Sequence, residues 1–478
     1  MMWSAVQRFS ALFIQFISGI ILARLLSPYD YGCIGMLAVF VALSEAFIDG
    51  GFGSALIQKK RPTQEDYSTI FWWNVLMAFF VYCILFFAAP FVSKFYGIPL
   101  LCNVLRVQGL VLFFYALNIV QRNQLQKHLN FRILSIVSIS TSLISLVITV
   151  YLAYKGFGVW ALVAQNVFSA FIPALVFWFY VKWRPNFSFS VSSFRELFGF
   201  GFYMFLAHLL NSFSSQIQGL LIGKLYSPST MGFYSKAHDT EKLASQSISQ
   251  VMMQVSFPLY SEAQNDNEIL IAMIKRLTST IAYLSFPLLF ILLLTAKPIF
   301  VLLYSERWLS SVPYFQVLCI AGLAMCLQSV NLQAIPAIGK SKEMFIWTIV
   351  KRMVGLTAII GGLFFFGMKG LLVGAVFNSW FSYFVNIVLV SKYIGYKWKQ
   401  QLLDLAPILF ASFVSAIISY GISRLLKYND NLYLSGVIII GVYVIVYMTW
   451  SLVFKPGCYL YTKSIVKSFF ERTRLHMV

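Results

Sequence analysis

Charge is scarce in this chain: Asp, Glu, Lys and Arg together make up 11% of its 478 residues, where an ordinary globular domain carries about 25%. A water-soluble fold has nothing with which to cover a composition that is 59% hydrophobic, so that class is excluded. Metal-ligand spacing is missing as well. The six cysteines (Cys33, Cys83, Cys102, Cys319, Cys326 and Cys458) form no CxxC pair, histidines number four, and the connections between apolar runs, about twenty residues at most, hold no DxD pair. Metal sites, cofactors and the catalytic acid–base loops of a membrane enzyme are therefore not expected, and the cysteines read as packing residues. The first apolar stretch lacks a small-residue cleavage site, so the expectation is that it stays as a helix.

What the sequence does have is apolar runs of about twenty residues along its whole length, each long enough to cross a hydrocarbon core of about 30 Å as a helix. Helices satisfy their own backbone in lipid, and the short alternating strands of a barrel are not found. The expected fold is all-α: a polytopic membrane protein of about fourteen spans, from 4–26 to 434–454. The eighth, 231–255, is polar enough for a hydropathy window to miss.

Basic residues sit mostly between these spans. Counting from the N-terminal side, twenty-two Lys and Arg fall in connections on that side, among them Lys59, Lys60, Arg61, Arg122, Lys127, Lys275 and Arg276, and seven fall opposite. The basic excess marks the cytoplasmic face, which places both termini in the cytoplasm. It also explains much of the net charge of +20 without a nucleic-acid partner.

An internal repeat organises the spans. Residues 21–32 read ILARLLSPYDYG and residues 221–232 read LIGKLYSPSTMG, so Leu25, Ser27, Pro28 and Gly32 recur at an offset of 200, with Lys224 answering Arg24. Ser-Pro followed by Gly suits a stop and turn after a helix; a cation in register at the end of both runs is not explained by a turn. Each copy opens a block of six helices of matching orientation, as parallel repeats do. The expected organisation is a lobe at 1–196, a second at 197–395, and a helix pair with a basic tail at 396–478. In the eighth span, Ser235, His238, Asp239, Lys242, Ser245, Gln246 and Ser249 share one helical face. That stripe cannot face lipid; it lines water or another lobe, or the helix lies flat at the interface.

These segments resemble the multidrug/oligosaccharidyl-lipid/polysaccharide exporter superfamily, in particular Wzx-type polysaccharide flippases of the colanic-acid and teichuronic-acid exporter branch. The resemblance lies in the two repeated segments, in DGGFGSALIQKK with STIFWWN (Asp49–Lys60, Ser68–Asn74), QLQKHLNFR (Gln124–Arg132), FGFGFY (Phe198–Tyr203), SFPLYSE (Ser256–Glu262) and the RW of SERWLSSVP (Ser305–Pro313). It implies two lobes around a cationic cavity, and export of an undecaprenyl-diphosphate-linked oligosaccharide from the cytoplasmic leaflet by alternating access. A bacterial cytoplasmic membrane, membrane lipids and other polysaccharide-assembly proteins are the implied setting. Lys224 in place of a second arginine puts bidentate phosphate recognition in the first lobe.

The head group's diphosphate and hydroxyls would otherwise cross an apolar slab unpaired, at several kcal/mol for each group. The candidate substrate-binding residues are accordingly Arg24, Lys224, Lys236, Lys242, Arg106 and Arg352, with His238 and Gln246 on the polar stripe. Each cation has a structural alternative: snorkelling or helix-end stabilisation for Arg24, Lys224, Arg106 and Arg352, and pairing with acids for Lys236 and Lys242. Glu45, Asp49, Asp239 and Glu241 are candidates for gating or ion coupling, or for structural pairing. Two other function classes stay open. A cation-coupled small-molecule exporter of the related MATE group would favour intramembrane acids over the basic excess found here. A membrane glycosyltransferase or polymerase would need the catalytic loop that the connections do not provide.

Overall fold

The computed structural model describes residues 2–263, 266–425, 432–461 and 463, and every regular element among them is helical. Contacts divide the chain into two compact units, Met1–Ser235 and Lys236–Val478.

The first unit contains α1 (Met2–Leu25), α2 (Pro28–Asp49), the short α3 (Phe52–Gln58), α4 (Gln64–Tyr96), α5 (Leu100–Gln108), α6 (Val111–Lys127), α7 (Phe131–Tyr154), α8 (Val159–Tyr180), α9 (Val191–Leu225) and the start of α10 (Pro228–Glu262). α4 shows how its helices are built, apolar on both faces. On α4, Ile70, Phe71, Ala78, Val81 and Leu85 are buried, while Leu76, Phe80, Ile84, Phe87 and Phe91, at the complementary helical spacing, are exposed. A soluble helix would carry polar residues there, so that face is made for lipid.

Ten helices among the described residues are long and apolar enough to cross a bilayer, and α9, bent by 55° between Val191–Gly199 and Gly201–Leu225, makes an eleventh. In the second unit lie the rest of α10, α11 (Asn267–Leu294), α12 (Ala296–Tyr304), a 3-10 turn, α13 (Val312–Ala337), α14 (Ser341–Tyr393), α15 (Trp398–Leu425) and α16 (Leu432–Phe454). At 53 residues α14 is far longer than one crossing, and it doubles back at Gly367 (φ 62°, ψ −144°). Its two arms pack so closely that a Cβ on Gly370 would lie 1.9 Å from the Gly362 carbonyl oxygen, and one on Gly374 2.6 Å from that of Ala358. Counting both arms, together with the shorter α1 and the polar α10, is compatible with fourteen crossings.

Two local expectations change. Gly32 and Gly232 are not turn residues: Ser27 and Ser227 cap the following helices, accepting from the backbone N–H of Asp30 (3.4 Å) and Thr230 (3.2 Å), and the glycines lie inside α2 and α10. A Cβ on Gly32 would stand 1.8 Å from the Pro228 carbonyl oxygen, and one on Gly232 1.8 Å from that of Pro28. The repeated segments thus pack on each other reciprocally, each glycine admitting the other segment's backbone. Secondly, Arg122 and Lys127 belong to α6 and not to a loop. The polar run Gln121–Gln124 continues the helix because Gln121, Asn123 and Gln124 are buried in the unit. Within the first unit α9 packs on α2, α3 and α4, and the boundary between the two contact units falls within α10.

Charged residues close one end of the first unit. Lys59 bridges Asp66 and Glu196, each at 2.9 Å, and residues 181–190 lie along the first turns of α4, held by Asn186 N–H to Ser68 Oγ, Ser190 N–H to Thr69 Oγ1 (3.0 Å each) and Trp72 Nε1 to the Asn186 carbonyl (2.8 Å). Partial burial acts to lower the Lys59 pKa, but hydrogen bonds and attraction from Glu196 and Asp66 outweigh it and raise the value above the usual lysine range. The stabilisation is therefore fully present below about pH 10.4, the ordinary lysine pKa, and is lost only as pH rises through the higher folded value. Lys59→Met leaves the buried Asp66 without its cation and is expected to lower Tm by an amount constant between pH 6 and 9, read by thermal unfolding in detergent. Gly32→Ala and Gly232→Ala are each expected to cost about 1–3 kcal/mol through overpacking. The double variant should be little worse than either single one, since one clash already parts both contacts.

Candidate functional site

The helices of the first unit border a half-open chamber of mixed polarity. α2 contributes Ile34, Leu37, Ala38, Val41, Ala42 and Glu45; α5 and α6 contribute Gln108, Val111, Tyr115, Asn118 and Arg122; α7 contributes Leu134, Val137, Ser138, Thr141 and Ser142; α8 contributes Asn166, Ser169, Ala170, Pro173 and Phe177. Every set is spaced by three or four residues, so each helix turns one face inward. The cavity has a volume of about 580 Å³. A second recess of about 350 Å³ shares Ala42, Glu45, Tyr115, Asn118 and Arg122 with it and adds Asp49, Asn123, His208 and Ser212. Arg122, treated in the sequence as a topological charge, thus lies in the wall of both. The signal that finds it is the row Gln108, Tyr115, Asn118 and Arg122, which only a helix continuing past residue 119 brings onto one face.

Several candidate residues carry structural work. Pro90 has no N–H for the Phe86 carbonyl one turn earlier in α4, and Arg106 supplies the missing donor: its Nε lies 3.3 Å from that oxygen, with the guanidinium 4.2 Å from the Phe86 ring centroid. Lys224 is exposed and donates to the Phe95 carbonyl at the end of α4, its ammonium 4.2 Å from the Phe95 ring centroid. Asp49 accepts from the Gly53 N–H (3.3 Å) at the start of α3. At the other end of α3, Lys127 donates to the carbonyls of Leu56 (3.0 Å), Ile57 (3.1 Å) and Lys59, completing a helix C-terminus. Between Asp49 and α3, Gly51 (φ 75°) meets α9: a Cβ there would fall 2.0 Å from the Gly201 carbonyl oxygen. The DGGFG and FGFGFY segments are therefore one contact. Glu45 and His208 face the chamber and its recess, and Arg24 is exposed in the last turn of α1.

In the second unit the polar stripe of α10 divides into two rows. Asp239 and Lys242 are exposed and His238 and Gln246 half-buried, whereas Glu241, Ser245 and Ser249, at i, i+4 and i+8, are buried. Ser245 and Ser249 of the stripe expected to line water or another lobe pack instead against α13 of their own unit. Ser249 Oγ bonds back to the Ser245 carbonyl (2.7 Å), and Cys326 and Met325 of α13 lie against Ser245 at 3.7 and 3.9 Å. Small hydroxyls, Ser249 satisfied on its own helix and Ser245 donating to Met325 Sδ, permit this close approach. Glu241 is 4% exposed, and a Cβ on Gly322 would lie 2.3 Å from its Oε1, so α13 keeps a glycine where the carboxyl group enters. Lys236 is also 4% exposed, its ammonium 4.2 Å from the Tyr304 ring centroid and 5.8 Å from that of Trp308. The YSKA segment and the RW motif thus meet in one aromatic pocket. Lys351 is buried between the arms of α14, donating to Asn386 Oδ1 at 2.8 Å, and its neighbour Arg352 is exposed. The candidate cations that reach accessible surface within their own unit are therefore Arg24, Lys224, Lys242 and Arg352.

A family of polysaccharide biosynthesis proteins matches residues 21–313 of the chain. The chain belongs to this family. Among its relatives, the teichuronic acid biosynthesis protein TuaB of Bacillus subtilis is 24% identical over 72% of each chain. The succinoglycan biosynthesis transport protein ExoT of Rhizobium meliloti is 25% identical over 87% of this chain and 82% of its own. The fold of this polysaccharide biosynthesis protein is similar to that of the lipid II flippase MurJ, with a TM-score of 0.74 over 95% of this chain and 98% of MurJ at 15% identity. Family, composition and helix content together make it a multi-pass membrane protein.

The pairing of Pro90 with Arg106 predicts a rescue. Arg106→Ala is expected to cost about 1–3 kcal/mol by stranding the Phe86 carbonyl. Adding Pro90→Ala, which restores an N–H to α4, should recover most of that loss in thermal unfolding; a purely additive double variant would refute the assignment.

Proposed function

We infer that this family member is a flippase: it moves an oligosaccharide linked to undecaprenyl diphosphate from the cytoplasmic to the outer leaflet of a bacterial cytoplasmic membrane. The observation that carries the reading is membership of the polysaccharide biosynthesis family across residues 21–313, with a transport protein among the relatives. The physical need is plain. A polyprenyl tail is at home in hydrocarbon, whereas a diphosphate and many hydroxyls are not, so a carrier must present polar groups at membrane depth.

In this reading residues 1–196 and 197–395 are lobes that alternate in access, residues 396–478 are a helix pair beside them, and both termini are cytoplasmic. Arg24, Lys242 and Arg352 are the cations offered to the diphosphate, while Lys224, Arg106 and Lys236 position helices. Gln246 and His238 border the same accessible row as Lys242 on α10. Asp239 is the acid that balances it. The reading assigns transport and no covalent chemistry, and it admits other polysaccharide-assembly proteins as neighbours. A diphosphate diester carries about two negative charges, and moving each outward gains about 2.3 kcal/mol per 100 mV of potential negative inside, so the membrane potential assists export.

Two measurements test this. Detergent-purified protein is expected to bind undecaprenyl diphosphate sugar in preference to a cationic dye; the reverse preference would favour the small-molecule exporter. In cells that depend on this chain for surface polymer, Arg24→Ala and Lys242→Ala are expected to stop export at unchanged membrane abundance, with lipid-linked oligosaccharide accumulating in the inner leaflet. Normal polymer in both variants would remove these residues from the pathway.

A further inference from the structure

The chamber of the first unit carries an inference that rests on the flippase reading and sharpens it. Three amide or hydroxyl side chains in its wall are almost fully buried: Gln108 and Thr141 are 5% exposed and Asn118 is 6% exposed. Gln108 Oε1 and Thr141 Oγ1 have no hydrogen-bond partner among the described residues, although a buried polar atom left unpaired costs about 1–3 kcal/mol. Polar atoms in a cavity wall, buried from outside and unused by the fold, are arranged for a guest.

The chemistry of the wall narrows the guest. Amides and hydroxyls both donate and accept, which matches sugar hydroxyls, themselves donors and acceptors. Charge in the wall is balanced, with one carboxylate, Glu45, and one guanidinium, Arg122, so neither a diphosphate nor a lipophilic cation finds a net counter-charge there. Tyr115 adds an aromatic surface of the kind that packs against the C–H face of a pyranose ring. Pro173, also in the wall, leaves the Ser169 carbonyl without its i+4 donor. A volume of about 580 Å³ falls within the roughly 300–1,000 Å³ of small-molecule sites.

We propose that this chamber is a carbohydrate subsite. Neutral pyranose residues of the head group enter it and exchange hydrogen bonds with Gln108, Asn118 and Thr141, while the diphosphate stays outside. The chain then recognises the glycan and the diphosphate at separate places, so the sugar contributes to selection independently of the charge.

The test uses the full-length protein in detergent. Its affinity is measured for undecaprenyl diphosphate and for the same lipid carrying a single glucose, galactose or N-acetylglucosamine. Wild-type protein is expected to bind at least one glycosylated lipid about tenfold more tightly than the bare diphosphate. In the near-isosteric Gln108→Met/Thr141→Val variant that preference should disappear while bare-lipid affinity is kept, which also reports that the variant is folded. Should the double variant lose bare-lipid binding, Thr141→Val alone supplies the same comparison. Equal wild-type affinities for bare and glycosylated lipid, or a preference that survives in the variants, would overturn the subsite. Failure of wild-type protein to bind any of these lipids would instead overturn the flippase reading itself.

Discussion

In hydrocarbon, a backbone or side-chain polar group must find its partner within the protein, because no water is there to replace a lost hydrogen bond. That requirement explains where most of the unusual residues of this chain have gone. Prolines break the helical ladder at Pro90 and Pro287, and in both places another helix repairs the damage. Arg106 donates to the Phe86 carbonyl, and the Tyr447 hydroxyl of α16 donates to that of Tyr283 at 3.1 Å. Lys127 closes the end of α3 and Lys224 the end of α4. A cation inside an apolar segment can thus serve as a substitute backbone donor.

The same requirement governs how closely helices approach. Where a polar carbonyl must be covered and no side chain intervenes, glycine lets one backbone cover another. Gly32 and Gly232 do this across the repeated segments, Gly51 does it against Gly201, and the paired arms of α14 do it at Gly362, Gly370 and Gly374. On α10 serine takes a related part, its hydroxyl turned back onto its own helix so that α13 can lie close. In the second unit the final helix pair is joined to α11 by similar polar contacts: Lys275 to Asp404 at 2.8 Å, and the Tyr283 hydroxyl to Ser451 Oγ at 2.9 Å.

The chamber of the first unit gathers polar side chains from α2, α5, α6, α7 and α8 in one place. In its wall Ser142 bonds back to the Ser138 carbonyl, but Gln108 Oε1 and Thr141 Oγ1 have no hydrogen-bond partner among the described residues, and its two charges cancel. A carrier for a glycan on a charged lipid has reason to separate these two kinds of recognition. Phosphate is common to every polyprenyl diphosphate, and the sugar is what distinguishes one such lipid from another.

The sequence by itself determined the membrane, the all-helical class, the repeat at 21–32 and 221–232, and the family resemblance, because length, hydropathy and local order are written residue by residue. It also pointed to Arg24, Lys242 and Arg352 as cations near or within spans. What it left undecided was partnership. Nothing local in Arg106 reveals that Phe86, twenty positions earlier, has lost its donor to a proline, and nothing in Lys236 reveals Tyr304 and Trp308. The polar face of α10 was legible as a stripe, but the burial of Glu241, Ser245 and Ser249 depended on α13, some eighty residues away. The chamber was hidden for the same reason: each of its helices shows only a modest polar row, and the rows become a cavity when packing turns them toward one another.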